Sequence, residues 1–119
     1  MIVATPVTVD GRTAPAWGKA RWVGVAEVTG PRVTAWTIHE VGWDESHDHG
    51  THGAHHARIV RFLRDQAVAA IVVDHVGAGM ARLLDRMGIP MLPATAGDAR
   101  DSILTAVAAL PPGARVRPR

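Results

Sequence analysis

At 119 residues, 47% of them apolar and 20% charged, the chain has the length and balance of one globular domain with a buried core. It contains no cysteine, which excludes disulfides, thiolate zinc sites, cysteine-ligated iron–sulfur clusters and thiol catalysis. No stretch approaches the ~18 apolar residues of a membrane span, and the opening MIVATPV lacks the basic start of a signal peptide, so a cytoplasmic protein is expected.

The chain opens on an apolar, β-branched run, MIVATPVTV, which predicts a strand interrupted by Pro6. A turn-rich loop, DGRTAPAWGKA, follows it. Residues 22–28 and 33–40 are two further strands, and the Thr29-Gly30-Pro31 turn between them makes a hairpin. Next comes DESHDHGTHGAHHA, residues 44–57, which holds five of the seven histidines and shows no apolar periodicity before about Ala57. It is read as a mobile connection from strand to helix. The period then becomes helical, with Ile59, Phe62, Leu63 and Gln66 on one face and Arg58, Arg61, Arg64 and Asp65 on the others.

Residues 69–74, AAIVVD, have the wholly apolar character of a strand covered on both faces. HVGAG leads from it into a helix with Met80, Leu83, Leu84 and Met87 on one side and Gly88 as its stop. IPML is a short strand. Thr95 is expected to cap the last helix, paired with Asp98 three residues on, and Ile103, Leu104, Val107 and Ala108 form its apolar face. The order β-β-β-α-β-α-β-α predicts an α/β fold, with a mixed sheet and helices on its faces. Residues 1–110 form the expected domain, and 111–119 a flexible Pro/Arg-rich tail.

In these pieces the chain resembles the dinitrogenase iron–molybdenum cofactor biosynthesis family, the domain of nitrogenase accessory factors. The likeness runs through IVATPV, the GRTAPAWGKA loop, the VAEV strand, a His/Gly-rich segment before the first helix, AAIVVDHVGAGMARLLDRMGI and TAGDARDSILTAV. The resemblance implies a three-layer α/β/α sandwich around a five-stranded mixed sheet, ribonuclease H-like in topology. It also implies binding of iron–sulfur-based clusters without catalysis. The chain departs from the family pattern in two loops. Where the family often has His-Phe-Gly, it has Ala16-Trp17-Gly18. Where the family favours Gly-Gly-x-Gly-Pro-Arg/Lys-Ala, it has Asp74-His75-Val76-Gly77-Ala78-Gly79-Met80. The closing PPGARVRPR has no counterpart in the family.

Asp74 to Gly79 occupy the carboxyl end of a buried strand, where α/β folds place ligands. Gly77 and Gly79 allow close backbone approach or simply a tight turn, and free amides at a helix start favour an anion. His75 is either a hydrogen-bonded structural residue or a ligand to a metal at the exposed corner of a cluster. By the resemblance the Trp17–Gly18 loop lies at the same end of the sheet, with Trp17 covering the site or anchoring the loop by burial.

In the histidine stretch, His47 and His49 project to one side of an extended segment. A helix starting near Thr51 brings His52 onto one face with His55 and His56. Such a tract is a weak metal binder, a defined site for Zn, Ni, Cu or Fe, or a solvated loop. His75, on a rigid strand end, is the better candidate for a fixed ligand.

Enzymatic signatures are missing. MIVATPVTV has no carboxylate before Asp10 for a two-metal nuclease, and no nucleophile elbow, Walker A loop or dinucleotide fingerprint occurs. The expected function is non-enzymatic: binding and carrying an iron–sulfur-based cofactor, with or without molybdenum, or its precursor. His75, Gly77, Gly79, Trp17 and Gly18 would hold it, and a cluster donor or acceptor protein would be the partner. The alternatives are a mononuclear metal module using His47, His49, His52, His55 and His56, and a partner-binding scaffold without cofactor. A monomer or weak homodimer is expected. Three arginines close the chain, but the aromatics are not interleaved with basic residues as in nucleic-acid motifs, so nucleic acid is not an expected partner.

Overall fold

Ile2–Val7 (β1) is the centre from which the sheet is built, because its two faces feed two separate cores. Val3 packs on one side with Ala26, Val72 and Ile103, while Ala4 packs on the other with Val23, Ile71 and Leu63. This period-two division is what a strand buried on both faces requires. The computed structural model describes residues 1–48 and 51–110, except the side chains of His47, Asp48 and His52. The tail expected at 111–119 lies outside the described residues.

Trp22–Thr29 (β2) and Arg32–Glu40 (β3) form the expected hairpin, turning at Gly30, whose φ of 58° suits a residue without Cβ. Two helices follow, Trp43–Asp48 (α1) and His52–Asp65 (α2). Ala70–Val73 (β4), Ala78–Met87 (α3), Met91–Pro93 (β5) and Ala99–Ala108 (α4) complete the chain. The sheet order is β3-β2-β1-β4-β5. β1 pairs in parallel with β4, and β4 with β5, while β2 is antiparallel to both neighbours. Residues of α2 and α3 build the core on one face, and Ile103 and Ala106 of α4 the core on the other. This is the expected five-stranded mixed α/β sandwich, in an order compatible with a ribonuclease H-like topology. Among the described residues no helix is long and apolar enough to cross a membrane.

Three local expectations change. The strand continues through Pro6, which lies beyond the last β1–β4 pair, Ala4 with Ile71, so no bond to β4 is lost there. Part of the histidine segment is helical as α1, held by burial of Trp43 and by its backbone N–H donating to the Ala20 carbonyl (2.9 Å). Asp98, and not Thr95, caps α4, its carboxylate accepting from the Asp101 N–H (3.0 Å). The Thr95 N–H donates instead to the buried Ser102 hydroxyl (2.9 Å). Gly88 does stop α3, in the left-handed region with φ 70°.

Gly24 of β2 lies under the indole of Trp36 on β3; a Cβ there would fall 2.3 Å from the ring. Gly24→Ala should therefore lower stability by about 1–3 kcal/mol, read as a reduced urea midpoint. Combined with Trp36→Leu, the same change should cost much less, because the ring that blocks the space is gone.

Candidate functional site

The loop after β1 is tied at three points. The Ala14 N–H donates to the Pro6 carbonyl (3.0 Å), and the Thr13 N–H to the Gly97 carbonyl (2.8 Å). Ala16 forms a parallel bridge with His75, which joins this loop to the turn after β4. The next residue, Trp17, is 1% exposed and meets Trp43 edge to face, ring centroids 5.1 Å apart. Trp43 in turn meets Phe62 of α2 at 5.5 Å. Of the two roles open to Trp17, the structure gives the anchoring one. Its indole N–H is buried without a hydrogen-bond partner among the described residues.

α2 begins with Thr51 as N-cap, its hydroxyl accepting from the Ala54 N–H (3.0 Å). That start puts His55 one turn before Ile59 on the buried stripe, and His55 is 4% exposed. Its Nδ1 shares a hydrogen bond with the Ser46 hydroxyl of α1 (3.2 Å). α1 is also held by Arg21, the residue before β2, whose guanidinium pairs with Glu45 (3.3 Å) and Asp44 (3.6 Å) of α1 and with Glu40 at the end of β3 (2.8 Å). The hydrogen bond to Glu45 and the charge of Glu40 raise the Arg21 pKa above its usual value. These groups are exposed, so each pair adds little stability.

Gly18 then lies against α2: a Cβ on it would sit 3.9 Å from His55 Nε2. A Cβ on Gly79 would sit 3.5 Å from His56 Cε1. Gly18, His55, His56, Val76 and residues 77–80 line one pocket of about 240 Å³. Its floor is the start of α3. Gly77 caps that helix without a side-chain bond, and its carbonyl accepts the first intrahelical bond, from the Ala81 N–H (2.9 Å). The N–H groups of Ala78, Gly79 and Met80 precede that bond, and the positive end of the helix dipole is there. The site thus offers imidazoles and backbone donors, a set that suits an anionic or metal-bearing ligand.

His75 is exposed and lines the neighbouring depression of about 370 Å³ with Asp74, Met91 and Pro93. Val76 is common to both. The structure therefore brings Gly18, Gly77 and Gly79 together with His55 and His56, sets Trp17 in the adjoining core and leaves His75 next door. His49 and the side chains of His47 and His52 lie outside the described residues. Among the described residues no group of three or more histidine or acidic side chains is placed to hold a metal ion.

Sequence reasoning missed Trp43 as the partner of Trp17, and the apposition of His55 to Gly18. One signal was present. Extending the α2 period back to Thr51 places His55 four residues before Ile59 and eight before Leu63, on the buried face.

The family model for the dinitrogenase iron-molybdenum cofactor matches residues 1–110. Among solved structures, the protein PH0822 superposes with a TM-score of 0.71 at 19% identity, over 91% of this chain and 89% of its own. A candidate dinitrogenase from Methanocaldococcus jannaschii gives 0.62 at 16% identity, over 88% and 85%. At these identities the likeness concerns the fold. No curated protein matches the chain.

Replacing Trp17 by Ala should cost about 3–5 kcal/mol in urea unfolding, since the cavity would open between the first loop and α1. Trp17→Phe should cost distinctly less, because the N–H it deletes bonds nothing among the described residues. His75→Ala, at an exposed position, should stay within about 0.5 kcal/mol of the parent.

Proposed function

The chain belongs to the dinitrogenase iron–molybdenum cofactor family, and from that premise we propose that it is a carrier, not an enzyme, for a preformed iron–sulfur-based cluster or precursor. The pocket shared by Gly18, His55, His56 and the start of α3 carries this reading. With no cysteine in the chain, cluster sulfides must arrive with the cargo, and the protein supplies nitrogen donors and amides. An anionic cluster gains from the Ala78, Gly79 and Met80 N–H groups and from the α3 dipole. The lack of side chains at Gly18, Gly77 and Gly79 keeps this approach open.

A pocket of about 240 Å³ is small beside the roughly 300–1,000 Å³ of sites that enclose a ligand. The cargo is thus held by one corner and stays open to a donor or acceptor protein. His56 is the first imidazole it meets, being more exposed than His55. A cargo extending across Val76 reaches His75, which then acts as a second ligand from the neighbouring depression. Noncatalytic binding also agrees with β1, where no carboxylate occurs from Ile2 to Val7.

A second reading uses the histidines alone. His55 and His56 stand on the first turns of α2 with ring centroids 6.1 Å apart; with His47, His49 and His52, which lie outside the described side chains, they would be the ligands of a mononuclear site for Zn²⁺, Ni²⁺ or Cu²⁺. Under this reading, calorimetric titration shows tight binding of one of these ions alone.

Anaerobic incubation with an isolated cluster, followed by gel filtration and iron and molybdenum analysis, decides between them. The parent should retain cluster and its visible absorbance. Gly79→Val and His56→Ala should each cut retention about tenfold or more, as loss of a metal ligand or its support commonly does. Full retention by both variants would refute the pocket. Full retention by His75→Ala would remove only that residue from the ligand set.

A further inference from the structure

β3 is an outer strand of the sheet, nine residues long and bonded to β2 along one side from Arg32 to Glu40. The other outer strand, β5, has only three residues and ends at Pro93, a poor template for further pairing. On β3 the features that discourage edge pairing sit at the ends. A bulge falls opposite Glu27 and Val28, and the charged residues of the strand are Arg32 and Glu40. Between them Ala35-Trp36-Thr37-Ile38-His39 has no Lys, Arg, Asp, Glu, Pro or Gly, and its β-branched and aromatic residues favour a strand. Thr34, Ala35 and Thr37 are exposed.

We propose that β3 pairs antiparallel with β3 of a second copy of this chain, so that two five-stranded sheets become one of ten strands. Charge selects the direction. Antiparallel pairing brings the Arg32 end of each strand beside the Glu40 end of its partner, whereas parallel pairing sets like charges together. Arg32 makes no ion pair among the described residues, where every ion pair centres on Arg21. The two-fold axis falls near Thr37, the middle of the uncharged segment, which sets Glu40 opposite Thr34 of the partner strand and diagonal to its Arg32, within reach of the long side chain. Five to nine residues of edge contact bury less than a standard interface, so the dimer is weak and reversible, with a Kd on the order of 10 μM or higher. This pairing is independent of what the pocket near α3 holds.

Sedimentation velocity on the full chain, from micromolar to millimolar concentration, should show a monomer passing to a dimer. Thr37→Lys sets like charges against each other across the axis and should raise the Kd at least tenfold, with an unchanged circular dichroism spectrum. Ala35→Lys serves as a second such variant should the first fail to fold. Because the chain has no cysteine, Thr37→Cys should form a disulfide-linked dimer on mild oxidation, while Thr105→Cys on α4 should not. A monomer at every concentration, which would leave the edge for another strand, overturns the proposal. So does an open-ended series of oligomers, or a dimer that forms equally well with lysine at both positions and does not cross-link at 37.

Discussion

The pocket depends on the burial of one side chain, that of Trp17. With its indole edge to face on Trp43, the loop after β1 is fastened to the connection between β3 and α2. Trp43 passes the contact to Phe62, and so the position of α2 is coupled to the same cluster. Neighbouring residues inherit their places from this contact. Gly18 is brought to His55 because it follows Trp17, and Ser46 is brought to His55 because it lies one turn after Trp43. Two aromatic side chains buried at this scale contribute several kcal/mol each, far more than the exposed pairs of Arg21 with Glu40, Asp44 and Glu45.

What these elements assemble is a site of nitrogen donors. The start of α3 supplies amides and a dipole, and α2 supplies imidazoles. Among the described residues carboxylates stay outside: Asp74 lines the neighbouring depression, and Glu45 and Asp44 face Arg21. Such a division favours a cargo that is already anionic and already complete over a bare cation needing several charged ligands. It also follows from the parallel arrangement of β1 and β4, whose carboxyl ends place the Trp17 loop and the turn from Asp74 to Gly79 side by side through the bridge of Ala16 to His75.

Much of the fold was legible from the residues. The wholly apolar Ala70–Val73 announced a strand covered on both faces, and Met80, Leu83, Leu84 and Met87 announced α3 with its stop at Gly88. These are local signals, set by period and by backbone preference. The site was legible only in part, for a different reason. That Gly77 and Gly79 lie at the carboxyl end of β4, where they line the pocket, follows from their place between a strand and a helix. That Gly18 faces His55 follows from a contact across 37 positions, for which no periodicity exists. α1 was hidden because its six residues have polar neighbours and a single apolar anchor, Trp43, too little for a helical pattern. The abundance of histidines likewise said nothing of which ones are buried. His55 is distinguished from His56 by the phase of α2 alone.

Nuclear magnetic resonance of the uniformly ¹⁵N-labelled protein, loaded anaerobically with an iron-containing cluster, tests the seat of the cargo most directly. Paramagnetic iron held at the start of α3 should broaden first the amide signals of Gly18, His56, Gly77, Ala78, Gly79 and Met80, leaving those of α4 sharp. Broadening centred on Asp74, His75 and Pro93 without the α3 amides, or no localised broadening at all, would contradict a cargo seated between α2 and α3.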